Sequence, residues 1–329
     1  MSATPAWLAP QTSALKAAHG RGRLPAALLI HEAPGAGGEW LASWVAQLVL
    51  CQRQAAAPCG ECLACRRVAA LQHPDLSALR PQEDSRQIRI EQVRELAAQL
   101  ALTSHAGGYK VGVITPADAL NRFAANALLK TLEEPPARTL LVLVAVQPSR
   151  LPPTVLSRCQ VLKVRPPARA AAVAWLTETC GAGDWNAVLD VLGEAPMLAA
   201  QADRSAVVAV AAESRSMLTE LAAGGADPVA AAERWARSEL PLRLLCFENW
   251  LTEHVREGER AGAFLTELRR GPYLSGRGTF LNICELFRLV DEVRELRTLD
   301  VPLNRGLALE ALFRRLAPPE STPSGVRQA

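Results

Sequence analysis

The chain has 329 residues, with 36 basic and 33 acidic side chains for a net charge of +3; 49% of residues are hydrophobic, 21% charged and 5% aromatic. That length allows two or three domains with separate cores. The composition is that of a soluble globular protein, with Ala, Leu and Val favouring a helix-rich architecture over a β-sandwich, and no apolar run approaches the roughly 20 residues of a membrane span. Charge this balanced neither requires nor excludes a nucleic-acid partner. The opening MSATPAWLAPQTSALKAAHG has no basic cluster and no continuous apolar segment, so a cytoplasmic location is expected.

In chain order, LPAALLIHE (24–32) reads as a buried strand, followed by a glycine-rich turn and a helix from about Trp40 to Leu50. A cysteine-rich insert occupies 51–65, and a short helix from about Cys65 to Leu71 follows. HPDLSALRP (73–81) reads as a strand. IRIEQVRELAAQLAL (88–102) places Ile90, Val93, Leu96 and Ala97 on one helical face. YKVGVIT (109–115) suits a strand buried on both faces. DALNRFAANALLKTLEE (118–134) is helical, with Asp118 as its expected N-cap, and stops at Pro135-Pro136. RTLLVLVAV (138–146) and QVLKV (160–164) are further strands. Strands alternating with helices predict a parallel α/β sheet over residues 1–166. Pro166-Pro167 marks a boundary. Beyond it the strand signal ends: 167–204 reads as a small helical domain, 205–317 as a larger one, and the Pro/Ser-rich 318–329 as a disordered tail.

Two constellations carry chemistry. The turn EAPGAGGE has the layout of a phosphate-binding loop, G-x-x-x-x-G-K-[ST], in which backbone amides cradle phosphates, Lys neutralises them and a hydroxyl binds Mg²⁺. Gly35 and Gly37 keep the turn, but Glu32 stands at the first glycine, Gly38 at the lysine and Glu39 at the hydroxyl residue. Two carboxylates so placed repel a triphosphate by about 1–4 kcal/mol. At the end of YKVGVIT, where a hydrolysing site carries acidic residues, Thr115 and Pro116 stand instead. Taken alone, the turn is equally well a glycine-rich strand–helix connection.

The second constellation is Cys51-x₇-Cys59-x₂-Cys62-x₂-Cys65, set apart from the scattered Cys159, Cys180, Cys246 and Cys284. Four clustered thiolates suit tetrahedral Zn²⁺ in a closed, structural site. A ferredoxin-type cluster wants a different continuation than Arg66-Arg67-Val68-Ala69. A redox dithiol needs one C-x-x-C only, and the PCGEC and LAC surroundings are too polar and turn-like for four unligated core cysteines.

NALLKTLEEPP (126–136) and LPPTVLSRC (151–159), with the APGAGG turn and the cysteine cluster, resemble the clamp-loader subfamily of AAA+ proteins across most of residues 20–166. LNRGLALEALFRRL (303–316) resembles the last helix of the same subunits, while the helical region between is only loosely similar. The resemblance implies an AAA+ (P-loop NTPase-like) α/β domain with a zinc-binding insert, followed by two all-α domains, a lid and a collar. Motor subunits of the family carry an intact GKT loop, an acidic pair and sensor threonines; here the sensor position holds Ala145-Val146. The chain therefore resembles a non-hydrolysing member, binding no ATP itself. Arg158 of Ser157-Arg158-Cys159 is then implied to be an arginine finger reaching the γ-phosphate of a neighbouring motor, with Ser157 and Cys159 positioning it.

Zn²⁺ on Cys51, Cys59, Cys62 and Cys65 is implied independently, although related subunits often have eight residues in the first gap. The implied partners are motor subunits of gamma/tau type and a delta subunit in a hetero-pentamer. Through that ring the chain would act on a sliding clamp and primer–template DNA during replication. Arg122 and Lys130 would face DNA or solvent. The rival readings are an active AAA+ motor with an unusual loop and a zinc-dependent nucleic-acid binding module, whose insert supplies only Arg53, Arg66 and Arg67 as cations.

Overall fold

A computed structural model describes residues 4–82, 85, 87–260, 283–298 and 304–317. The expected tail at 318–329 and the side chain of Cys284 lie outside the described part. The chain divides into two compact units, one of residues 1–189 with 193–201, the other of 190–192 with 202–329.

The first unit is built on a five-stranded sheet: β1 (Ala27–Glu32), β2 (Leu76–Leu79), β3 (Lys110–Ile114), β4 (Thr139–Ala145) and β5 (Gln160–Val164). Their order is β2-β3-β4-β1-β5, and every pairing is parallel. Every residue of β3 and β4 is buried, as is all of β1 except His31. Unbroken apolar runs of this kind are what a parallel sheet covered on both faces demands. Only β5, at an edge, is largely exposed. One face carries α1 (Ala9–Gly20), α2 (Gly38–Leu50) and α3 (Leu63–Ala69), whose core includes Leu28, Ile30, Leu41, Val45 and Val142. The other carries α4 (Ile90–Ala101), α5 (Arg122–Glu133) and α6 (Pro153–Leu156), around Leu29, Val93, Leu96, Leu128 and Leu143.

Two local expectations are corrected. The helix expected to start at Asp118 starts at Arg122, because the Asn121 carboxamide accepts from the Ala124 amide at 2.8 Å and is the true N-cap. Asp118 sits in a preceding 3-10 turn and accepts instead from the Gln147 amide at 3.0 Å. On α4 the buried stripe is Val93, Leu96 and Leu100, with Ile90 and Ala97 half-buried. The short α7 (Arg169–Cys180), α8 (Trp185–Leu192) and α9 (Pro196–Gln201) follow the sheet.

The regular elements of the second unit among its described residues are all helices: α10 (Arg204–Ala222), α11 (Pro228–Arg237), α12 (Leu240–Arg260), α13 (Ile283–Thr298) and α14 (Arg305–Leu316). Asp203, Asp227 and Asn304 cap α10, α11 and α14 through side-chain oxygens. The core centres on Trp235, Phe247 and Phe313, whose rings lie 5.0–6.1 Å apart. Arg243 is buried beside them, paired with Glu213 at 2.8 Å and lying 5.8 Å from the Trp235 ring centre. Among the described residues no helix is long and apolar enough to cross a membrane.

Candidate functional site

β1 lies between β4 and β5, so the loop after it emerges at the carboxyl edge where the strand order reverses. Open α/β sheets bind ligands at such a switch point. The loop needs its glycines. Gly35 and Gly37 have φ of +65° and +111°, and a Cβ on Gly35 would lie 2.8 Å from Ala195 and Leu198. The loop's free carbonyls are taken from within the chain. The Trp7 indole donates to the Ala36 carbonyl at 2.8 Å, and the Met197 amide of α9 donates to the Gly35 carbonyl at 3.0 Å.

Glu32, the last residue of β1, turns its carboxylate onto the first residues of α2. Its Oε2 accepts from the Gly38 amide at 2.6 Å and from the Gly37 amide at 3.1 Å. Glu32 is buried. Burial raises its carboxyl above the usual range, the Gly38 and Gly37 amides pull the other way, and the charges of Glu39 and Asp118 add to the rise. Glu39 points elsewhere: Arg80, just past β2, grips both its oxygens at 2.7 and 3.4 Å, and the Thr115 hydroxyl donates to it at 3.1 Å. A cleft of about 500 Å³ opens here, lined by Glu39, Trp40, Leu71, Arg80, Thr115 and Met197 among others. Pro116 is exposed and Ala145 buried, so neither supplies a polar group. Sequence reasoning had the carboxylates but not their partners. Trp7 and Arg80 come from distant segments that no local pattern links to the loop.

Arg158 follows α6 and precedes the edge strand β5. Its fork is held at three points: Nη1 donates to the Thr154 carbonyl at 2.9 Å and the Ser157 hydroxyl at 3.2 Å, and Nη2 pairs with Glu133 at 2.8 Å. The side chain remains about one-third exposed, at 36%. Cys159 packs against the core on the α4–α5 face, where burial pushes its thiol up to about 11, so it stays protonated at neutral pH. Arg122 and Lys130 are exposed on α5. So is Phe123, at 69%, a residue the sequence reading passed over although it falls outside the apolar stripe of its helix.

The four cysteines converge. All four Sγ atoms lie within 4.8 Å of one another, with Cys51–Cys62 at 3.9 Å and Cys59–Cys65 at 4.0 Å. A tetrahedron with Zn–S bonds of about 2.3 Å has edges of about 3.8 Å. The Cys62 and Cys65 amides point at the Cys59 and Cys62 sulfurs, at 3.3 and 3.4 Å, as donors to thiolate. At Cys62 burial opposes ionisation, yet the Cys65 and Gln52 amides and neighbouring thiols prevail and bring it down to about 6. The Cys62 amide foremost lowers Cys59, while burial raises Cys51 and Cys65. Four charges this close ionise together only around a cation, so the set fits a metal ion. The surroundings are less polar than expected: Cys51, Cys62 and Cys65 are buried against Ala57, Ala64 and Val68 of the core. The other described cysteines, Cys159, Cys180 and Cys246, are scattered free thiols.

The family model described as "DNA polymerase III, delta subunit" matches residues 8–168. The chain is 37% identical over 307 residues to the DNA polymerase III subunit delta' of Pseudomonas aeruginosa, covering 89% of this chain and 92% of that one. It is 40% identical over 172 residues to the Escherichia coli subunit of the same name, 52% of each chain. The tau subunit of Escherichia coli matches at 34% over 139 residues, 42% of this chain and 21% of tau. Among solved structures, a gamma subunit-related protein of DNA polymerase III from Thermotoga maritima superposes with a TM-score of 0.51 at 16% identity. It covers 93% of this chain and 98% of its own, a likeness of fold alone. With the fold of the gamma-related protein and 37% identity to the Pseudomonas subunit over nearly the whole length of both chains, the chain belongs to the family of DNA polymerase III delta-prime subunits.

Proposed function

We propose that the chain is the non-hydrolysing stator of a DNA polymerase III clamp loader. It would supply Arg158 in trans to ATP held by a neighbouring motor subunit, so that the sliding clamp is loaded on primed DNA. The observation that supports it most is a division of charge within one unit. The phosphate loop has Gly38 where the lysine belongs and buries a carboxylate, whereas a guanidinium fork stands partly exposed at Ser157-Arg158-Cys159. A fork of fixed donors suits charge spread over phosphoryl oxygens, and such a finger is worth about 10³–10⁵ in rate in other phosphoryl-transfer systems. Ser157 and Glu133 orient it at rest.

The partners in this reading are tau/gamma-type motors and a delta subunit in a five-membered ring. Relatives named tau and delta' match this chain, which supports such company. Residues 1–166 act as the AAA+ domain, 167–204 as the lid and 205–317 as the collar. Cys51, Cys59, Cys62 and Cys65 would hold Zn²⁺ in a structural role, tying the end of α2 to the start of α3.

The test is steady-state ATPase of the reconstituted clamp loader with clamp and primed DNA, comparing wild type with Arg158→Ala, and ATP binding by the isolated chain. The expected result is no binding by the isolated chain and at least a tenfold fall in turnover with the ring still assembled. Unchanged turnover would return Arg158 to a purely structural role, and ATP binding by the chain alone would restore the motor reading.

A further inference from the structure

We propose that Glu32 is the resident anion of the relic loop: its carboxylate takes the place a nucleotide phosphate holds in a working P-loop, and it keeps loop and lid helix α9 in a liganded arrangement without nucleotide. This rests on the non-hydrolysing reading above and adds to it how the emptied site is held.

Working phosphate loops bind an anion through amides at the start of the following helix. Here two of those amides, of Gly37 and Gly38, converge on one Glu32 oxygen. The carboxylate is packed flush against the loop. A Cβ on Gly38 would meet the Glu32 carboxyl carbon at 2.6 Å and both its oxygens at 2.9 Å. A lysine at position 38 and Glu32 in its present pose are therefore incompatible. The absence of a Cβ at Gly38 is what leaves room for the carboxylate in this pose. A buried carboxylate is costly unless its oxygens are bonded, and the helix start supplies those bonds together with its positive dipole end.

The neighbouring charge is balanced internally as well. Glu39, at the position of the metal-binding hydroxyl, is held by both arms of Arg80 and by Thr115, so a cation of the chain stands beside the place where Mg²⁺ would be bound. The remaining acid near Glu32 is Asp118. The lid side is closed too. Met197 and Leu198 of α9 lie over Gly37 and Gly35, the Met197 amide holds the Gly35 carbonyl, and the Trp7 indole holds Ala36. Nucleotide is thus excluded by occupancy, beyond the loss of catalytic groups.

The experiment is thermal melting of the full chain in inorganic phosphate and in sodium chloride of equal ionic strength, for wild type, Glu32→Ala and Glu32→Gln. Wild type is expected to melt alike in both salts. Glu32→Ala should melt about 4–8 °C lower in chloride, because two buried amides lose their acceptor, and phosphate should recover at least half of that loss by entering the vacated position. Glu32→Gln keeps an acceptor oxygen there and should melt within about 2 °C of wild type, with no response to phosphate. The proposal is overturned if Glu32→Ala melts as wild type does, if phosphate recovers no more than chloride, or if wild type gains equally from phosphate. Should Glu32→Ala fail to fold, hydrogen exchange on the wild-type chain decides: the Gly37 and Gly38 amides must be protected without any nucleotide, and exchange at open-loop rates refutes the assignment. None of these readouts involves Arg158, whose role stands or falls on the ATPase of the assembled complex.

Discussion

Asp75 shows how much one side chain can hold. It lies just before β2, is buried, and accepts from the His105 amide at 2.8 Å, the Ser104 hydroxyl at 3.0 Å and the Ala106 amide at 3.2 Å. These contacts tie the loop ahead of β3 to the start of β2. Asp75→Ala leaves two amides and a hydroxyl without an acceptor and is expected to cost about 1–3 kcal/mol in urea denaturation. Its pH dependence has a definite sign. Burial pushes the carboxyl up, but the two amides and the hydroxyl outweigh burial and hold it below the usual range. A depressed folded pKa contributes stability that is present above the unfolded value of about 3.9 and is lost as pH falls through the folded one. Asp75→Asn should therefore flatten the acid limb of the stability curve below about pH 4 and leave its shape at pH 7 unchanged. An unaltered acid limb would place that proton uptake elsewhere. At the Arg158 position, Arg158→Lys keeps the charge and loses the fork that now engages Thr154, Ser157 and Glu133 together, so under the proposed function the ATPase of the reconstituted complex should resemble that with Arg158→Ala more than wild type.

At the scale of elements, the cysteine insert makes the sharpest prediction. α3 is seven residues long, too short to persist without an anchor, and its first turn is fastened through Cys62 and Cys65. Metal analysis should find one zinc per chain. Removing it with a chelator should raise hydrogen exchange across 51–69 while the amides of β3 and β4 keep their protection. Cys51→Ser should weaken the metal rather than abolish it, since three sulfurs remain. The insert packs on the core that covers one face of the sheet, so loss of exchange protection throughout the sheet would mean that the two unfold as one cooperative unit. This element was legible because metal ligation dictates a spacing that survives in one dimension. β1, β3 and β4 were legible for a related reason: burial on both faces leaves an unbroken apolar run. α1 was not. Only Thr12 and Leu15 of its twelve residues are buried, so alanines mask any stripe. The start of α5 was misread because Asp118 and Asn121 are both competent caps. The choice between them is made by the Gln147 amide, 29 residues away in the chain, which claims Asp118. The filling of the phosphate loop was out of reach for the same reason. Trp7, Arg80 and Met197 arrive from three separate segments, and only the fold brings them to Ala36, Glu39 and Gly35.

At the scale of the molecule, each of the two units has its own core among the described residues. The sheet unit is held by apolar strands covered on both faces, the helical unit by the Trp235, Phe247 and Phe313 rings with Leu218, Leu251 and Leu309 around them. Truncating a fully buried aromatic removes transfer energy and leaves a cavity, about 3–5 kcal/mol for Phe→Ala. Effects at well-separated sites are close to additive and stay within their own cooperative unit. Phe313→Ala should therefore lower the melting of the helical unit alone. Calorimetry would show a transition shifted down, while the zinc content and the exchange protection of β3 and β4 stay as in wild type. Under the proposed function, the same variant should lower the ATPase of the reconstituted complex by failing to join it, whereas Arg158→Ala should lower it with the complex still assembled. Gel filtration beside the ATPase assay separates the two. If Phe313→Ala instead melts the sheet unit in step, the two cores are one cooperative system, and the arginine would then have to be tested in variants matched for stability.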